Sequence, residues 1–321
     1  MASWQARLFS AVARLLVKRS ARKPMVNEVE GAKRARRIFE PPVFLRPSLP
    51  VDVKIEAVSE GGVRGEWIEW DLASGASHRT IYYLHGGGYV ACTPATYRGF
   101  TSNLSRSTGA RVFALDYRRA PEHKFPAAIE DAVSGYRFLL EKGEQPGNII
   151  IGGDSAGGGL AAALLIALRD RGLPLPGGAF LLSPWTDLAA TGRSLITNES
   201  SDPILSGKTT AALAKLYHGN ASPRDPLVSP LYGDLIGLPP LLVYVSDSEV
   251  LLDDAVRFVE RAKRHGVHVE LRIENGLPHV WPVFVAFGLP ESRQTISEIA
   301  EFVRRHKSLL QNEDAVKRNA A

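Results

Sequence analysis

Short, unbroken apolar runs recur along this chain from about residue 51 onward, at 81–84, 112–115, 149–151, 180–182, 241–245 and 267–273. A strand that is apolar at every position, rather than at every second one, has both faces covered, as in a mostly parallel sheet. Stretches with helical spacing separate the runs, at 127–140, 160–171, 254–265 and 295–306. This alternation predicts an α/β fold with a mostly parallel central sheet flanked by crossover helices. Functional side chains are then expected at the carboxyl ends of the strands.

Two regions depart from the rhythm. Residues 3–19 have amphipathic helical spacing, with Trp4, Leu8, Val12, Leu15 and Leu16 on one face and Arg7, Arg14 and Lys18 on another. A lipid-surface helix fits this pattern. A cap helix whose apolar stripe packs on the body fits it too and is the preferred reading, since such stripes usually face a core. The Pro41, Pro42, Pro47 and Pro50 cluster follows as an extended connection. Residues 187–235 form the second departure: a polar stretch, a short helix expected over 209–217, and a passage with Pro223, Pro226 and Pro230. An insertion there would lie over the carboxyl ends of the strands and, with the N-terminal helix, form a lid or cap.

Composition narrows the function little, but charge placement does. The net charge is +5 over 321 residues. Residues 1–37 carry ten Lys/Arg against two Glu, a net of +8, leaving 29 positive against 32 negative groups elsewhere, a net of −3. A basic leader on a slightly acidic body does not make a nucleic-acid groove. The single cysteine, Cys92, allows no internal disulfide and no Cys-based zinc site. It suits a reducing compartment, and a cytoplasmic location is expected. No apolar run approaches the roughly 18 residues of a membrane span. The stretch 160–168 reads as a buried helix, and the N-terminal apolar stretch, broken by Arg14, lacks the form of a secretory signal.

The chemistry begins where the 149–151 run enters Gly152-Gly153-Asp154-Ser155-Ala156-Gly157-Gly158-Gly159. Gly153 to Gly157 has the form G-x-S-x-G between a strand and a helix. Small neighbours allow the tight turn that lifts a serine hydroxyl clear of the sheet, and the helix N-terminus behind it favours developing negative charge. A Walker loop is excluded because no Gly-Lys-Ser/Thr follows, and the glycines lack dinucleotide-binding register. Ser155 is therefore the expected nucleophile. Directly after the 81–84 run comes His85-Gly86-Gly87-Gly88. Glycines there let a substrate approach backbone N–H groups, so the amides of Gly87 and Gly88, with Gly86 as a further candidate, are expected to form an oxyanion hole with that of Ala156. His85 precedes the serine in the wrong chain order for a base and is expected to hold the loop.

With triad order serine, acid, histidine, the base is expected at His279, which follows the last run. The acid belongs in the loop after 241–245. Asp253 and Asp254 suit the first turn of the next helix, while Asp247 and Glu249 both remain candidates on spacing alone.

These residues together resemble the hormone-sensitive-lipase-like esterases, the bacterial GDXG lipolytic family. The resemblance rests on His85–Gly88, on Asp116-Tyr117-Arg118-Arg119-Ala120-Pro121-Glu122-His123, on Gly153–Gly158 and on Asp225-Pro226-Leu227-Val228-Ser229-Pro230-Leu231. It spans about residues 80–285. It implies an α/β-hydrolase core over 51–311 with a cap insertion at about 187–235, an N-terminal helical cap segment over 1–50 and a tail over 312–321. It also implies hydrolysis of short or medium acyl esters without cofactor or metal. The family reads D-P-L-x-D-E after this strand, and the gapless match here is Glu249-Val250-Leu251-Leu252-Asp253-Asp254. The resemblance thus puts the acid on Glu249 in place of the usual Asp, with Asp247 the alternative. The expected partner is a small-molecule ester or lactone and no nucleic acid. A weak membrane-surface contact through residues 3–19 and a homodimer are further partners the sequence admits, and a deacetylase or a non-catalytic ligand receptor on the same fold are the alternative functions.

Overall fold

The computed structural model describes residues 2–18, 28–40, 49–71 and 79–306; the expected 312–321 tail and much of the 41–50 connection lie outside them. Among the described residues eight strands form one sheet in the order β1-β2-β4-β3-β5-β6-β7-β8. They are β1 (Val53–Glu60), β2 (Val63–Trp70), β3 (Thr80–Leu84), β4 (Arg111–Leu115), β5 (Ile149–Asp154), β6 (Gly178–Leu182), β7 (Leu241–Ser246) and β8 (Val269–Glu274). Strands β3 to β8 run parallel, and β1 and β2 are antiparallel at one edge.

All six apolar runs are strands, and β3, β5, β6 and β7 are buried at every position. The hairpin β1–β2 is an addition to the sequence reading. Its β1 residues are mostly exposed or half-buried, so they lack the unbroken apolar signature. A hairpin signal was nevertheless there: two alternating segments flank Gly61-Gly62, and both glycines have positive φ, 58° and 81°.

The helices are α1 (Trp4–Ala13, continued by a π-helical turn Arg14–Lys18), α2 (Glu28–Phe39), α3 (Pro94–Thr108), α4 (Ala127–Glu141), α5 (Ala156–Asp170), α6 (Ser194–Thr197), α7 (Gly207–His218), α8 (Leu252–Arg264) and α9 (Pro290–Arg305). Helix α5 starts at the end of β5 and is buried from Ala156 through Leu168, so it forms the middle of the core. Truncating one of its leucines to alanine removes contacts worth about 2–5 kcal/mol. Asp253 and Asp254 lie in the first turn of α8, as expected. Asp254 also accepts from the amides of Thr186 and Asp187 at 3.1 and 2.8 Å, tying the start of the insertion to α8. Among the described residues no helix is long and apolar enough to cross a membrane.

Helix α1 corrects the preferred reading of the N-terminus. Its apolar stripe does not pack on the body: Trp4, Leu8, Val12, Leu15 and Leu16 are all exposed. The opposite face docks instead, through buried Ala6 and Ala13 and through Phe9, whose ring lies 4.5 Å from that of Phe284. Polar contacts fix both ends. Ser3 caps α1 and donates from its amide and hydroxyl to the Glu291 carboxylate at 2.6 and 3.0 Å. Arg14 donates to the carbonyls of Ser200 and Ser201 at 2.6 and 2.9 Å, and buried Lys18 to that of Asp202 at 2.6 Å. The pattern located a two-sided helix, but small residues let its other side approach more closely.

Candidate active site

Ser155 sits between β5 and α5 with φ 51° and ψ −121°, a conformation that L-residues avoid unless the surroundings enforce it. The turn is this tight because its neighbours lack side chains. A Cβ at Gly153 would come within 2.3 Å of the Gly157 carbonyl oxygen, and one at Gly157 within 2.1 Å of the Leu84 carbonyl oxygen. The Ser155 amide donates to the carbonyl of Leu182 at 2.8 Å, which fastens the corner to the end of β6.

His279, from the loop after β8, reaches this corner. Its Nε2 lies 2.9 Å from Ser155 Oγ, and its Nδ1 lies 2.5 Å from Glu249 Oε2. The other Glu249 oxygen accepts from the Ser246 amide and the Ser183 hydroxyl, each at 2.8 Å. Glu249 and His279 are buried. Burial alone lowers the pKa of His279. The charge and hydrogen bond of Glu249, joined by Asp202 and Asp154, outweigh it and leave the imidazole above its ordinary value. Asp247, the alternative acid, is exposed and accepts from the Gly276 amide at 2.8 Å. It therefore steadies the turn before His279 without touching the ring.

The glycine loop after β3 divides into two parts. Gly86, one of the expected donors, must be withdrawn from the oxyanion set: its amide already donates to Asp154 Oδ1 at 2.9 Å and to the Tyr97 hydroxyl at 3.1 Å. It anchors the loop. Gly87 and Gly88, with φ of 103° and 64°, line the cavity over Ser155. At Gly87 a Cβ would come within 2.3 Å of the Ala91 carbonyl oxygen, so only glycine keeps this backbone path open. Among the described residues the amides of Gly87, Gly88 and Ala156 have no protein acceptor. His85 holds the loop as expected. Its ring stacks on Tyr117 at 4.3 Å, its carbonyl accepts from the Tyr117 hydroxyl at 2.7 Å, and burial pushes its pKa down to about 3. It carries no charge near neutral pH.

Sequence reasoning missed the anchoring groups. Asp154 is buried and accepts from Tyr83, Tyr97 and Gly86; burial raises its pKa to about 6 against those hydrogen bonds and the nearby His279. Its place within the G-x-S-x-G pentapeptide was the available signal. Ser183, and Asn198, whose side-chain amide donates to the Asp247 and Glu249 carbonyls, left none, because their partners are far away in the chain.

A cavity of about 260 Å³ opens over Ser155 and His279. Helices α1 and α2 wall it with Phe9, Ala13, Ile38 and Phe39, the 187–235 insertion with Ile204, Leu205 and Leu213, and the segment after His279 with Val283 and Phe284. The site pairs a strained serine, an imidazole and a carboxylate in sequence with unspent amides and an apolar chamber, which is the arrangement of a serine hydrolase acting on acyl compounds.

Comparison with known proteins gives the family. A family model described as alpha/beta hydrolase fold matches residues 81–283. An acetyl-hydrolase of Streptomyces hygroscopicus is 44% identical over 249 residues, covering 78% of this chain and 82% of that protein. An esterase of Acinetobacter venetianus is 39% identical over 251 residues, with 78% and 82% covered. A crystal structure of an esterase from the bacterial hormone-sensitive lipase family superposes with a TM-score of 0.85 at 41% identity, covering 95% of this chain and 99% of the other. The chain belongs to the α/β hydrolases, in their hormone-sensitive-lipase branch, and is a carboxylic ester hydrolase.

Proposed function

We propose that this enzyme cleaves short- to medium-chain acyl esters by a Ser155–His279–Glu249 triad. His279 Nε2 takes the Ser155 proton as Oγ attacks the ester carbonyl carbon. The resulting oxyanion is held by the N–H groups of Gly87, Gly88 and Ala156. His279, its charge balanced by Glu249, then protonates the departing alcohol. It next removes a proton from water, which attacks the acyl-enzyme and releases the acid. The observation that carries this reading is the continuous line of hydrogen bonds from Glu249 through His279 to Ser155.

The acyl group is assigned to the apolar cavity, with the inner sides of α1 and α2 and the 187–235 insertion acting as its cap. Its modest size and aromatic lining favour short and medium chains, and the acetyl-hydrolase name of the Streptomyces relative supports a short acyl group. Lactones and acetylated amines would use the same machinery. The single cysteine, Cys92, is buried, with its Sγ 3.6 Å from the Phe39 carbonyl oxygen, in keeping with a cytoplasmic enzyme. A serine-directed organophosphate should label Ser155 stoichiometrically, and Ser155→Ala should lower kcat on the order of 10⁶-fold, the loss known from subtilisin. A variant that retains half its esterase activity refutes the assignment. p-Nitrophenyl esters of rising chain length, run beside several lactones, separate the substrate classes.

A further inference from the structure

The outer face of α1 has no partner among the described residues. Trp4, Leu8, Val12, Leu15 and Leu16 are 65, 57, 48, 64 and 66% exposed, and all fall within residues 4–16. Phe287, also exposed, lies beside Phe9 at a ring distance of 6.0 Å. Nothing in the packing of α1 calls for apolar residues here. The helix is held by Ala6, Phe9 and Ala13 on its inner side and by the Ser3 and Arg14 contacts at its ends. Serine or glutamine at the five outer positions would leave those contacts untouched. A concentrated apolar patch of this kind on a water-exposed face marks an interaction surface.

Charge selects the occupant. Residues 1–27 contain six basic side chains and no acidic one; Lys18 among them is buried and Arg14 is bonded to the Ser200 and Ser201 carbonyls, while Arg7 is exposed. An apolar stripe within a cationic segment suits anionic headgroups with acyl chains beneath them. Docking a second copy through the same face would bring two cationic segments together. The catalytic chamber lies on the other side of the same helical segment, which contributes Phe9, Ala13 and Val17 to its wall, and exposed Phe287 borders it.

We infer that α1 docks this enzyme on an anionic lipid–water interface, so that the esters it cleaves are taken from that surface. The substrate half of this inference rests on the esterase reading of the cavity; the docking half is measured without turnover.

The experiment uses the full chain, a Leu8→Ser/Leu15→Ser/Leu16→Ser variant and an Arg7→Glu variant. Each is sedimented with vesicles of phosphatidylcholine alone and of equimolar phosphatidylcholine and phosphatidylglycerol. The unmodified enzyme is expected to pellet with the anionic vesicles and to be released by salt. The triple variant should partition at least about tenfold less, and Arg7→Glu should lose part of the preference for anionic lipid. None of these positions lines the cavity, so hydrolysis of soluble p-nitrophenyl acetate should stay within about twofold. Docking is overturned if the unmodified enzyme remains in the supernatant, if the triple variant sediments equally, or if the anionic lipid makes no difference. A concentration-dependent dimer that the triple substitution abolishes also overturns it, in favour of a second copy. Vesicle binding by an enzyme that cleaves no ester would instead sink the catalytic reading and leave the docking standing.

Discussion

The Asn198 side-chain amide donates to the backbone carbonyl of Glu249 at 2.8 Å and, through its second hydrogen, to that of Asp247 at 2.8 Å. Its neighbours extend the tie: Ser201 donates to the Ser248 carbonyl at 3.0 Å, and Asp202 accepts from the Val250 amide at 3.0 Å. The loop bearing Glu249 is thus clamped by a segment of the insertion. That segment is gripped in turn by Arg14 and Lys18 of the N-terminal helical segment. The carboxylate that orients His279 owes its position to a chain of contacts beginning near the N-terminus.

Asn198→Ala removes two of these hydrogen bonds, each worth about 1 kcal/mol. The expected result is a fall in kcat of about tenfold with KM little changed, because Asn198 does not line the cavity. The acid side of the pH–rate profile should move as well, which a purely structural role would not produce. Steady-state kinetics over a pH series checks this, and an unchanged kcat would remove Asn198 from the positioning of Glu249.

Glu249→Gln and Asp247→Asn separate the two acids. The first should lower kcat on the order of 10⁴-fold, the cost of the equivalent amide substitution in the trypsin-type triad. The second should stay within a few-fold, since the Asp247 carboxylate accepts from the Gly276 amide and does not meet the imidazole. Parallel kinetics at neutral pH, with a thermal melt to verify folding, compare them. A harmless Glu249→Gln beside a crippling Asp247→Asn would transfer the role to Asp247.

The raised pKa of His279 has a definite sign in kinetics. The ring must be neutral to accept the Ser155 proton, and it holds its own proton to higher pH than a free histidine. The acid limb of kcat/KM should therefore have its midpoint above 6.5. Substituting Glu249 by Gln removes the largest attraction and leaves burial opposed only by Asp202 and Asp154, so the midpoint of the residual activity should fall. His85, held near 3, contributes nothing to this limb.

Asp154 makes a separate prediction for stability. Its folded pKa of about 6 exceeds the ordinary carboxyl value of 3.8, so the folded chain binds this proton more tightly than the unfolded one. The stability it contributes is present below the unfolded pKa and is lost as pH rises through about 6. Between roughly pH 4 and 6 the melting temperature of the unmodified enzyme should decline relative to that of Asp154→Asn. Calorimetry on the pair over this interval reads the difference, and parallel curves would show that Asp154 does not titrate there.

Much of this was legible along the chain because the relevant physics is local. Unbroken apolar runs reported strands β3 to β8. The glycines around Ser155 reported a tight corner, and the order of serine, acid and histidine reported which late histidine would arrive. The β1–β2 hairpin escaped because a half-exposed edge pair alternates rather than runs. The outward stripe of α1 was misread because periodicity reveals that a helix has two sides but not which side meets the protein.

By itself, the sequence determined the sheet's buried strands, the serine corner and the glycine loop, since each is written in residues adjacent to one another, and it pointed to the histidine through its order after the serine and the last apolar run. Only the tertiary structure decided that Glu249 rather than Asp247 faces the imidazole, that the Gly86 amide is spent on Asp154, and that Asn198 and Asp202 brace the acid's loop. Those outcomes depend on distances between segments 30 to 68 residues apart, and such distances are fixed by how helices and strands pack, which no short stretch of chain encodes.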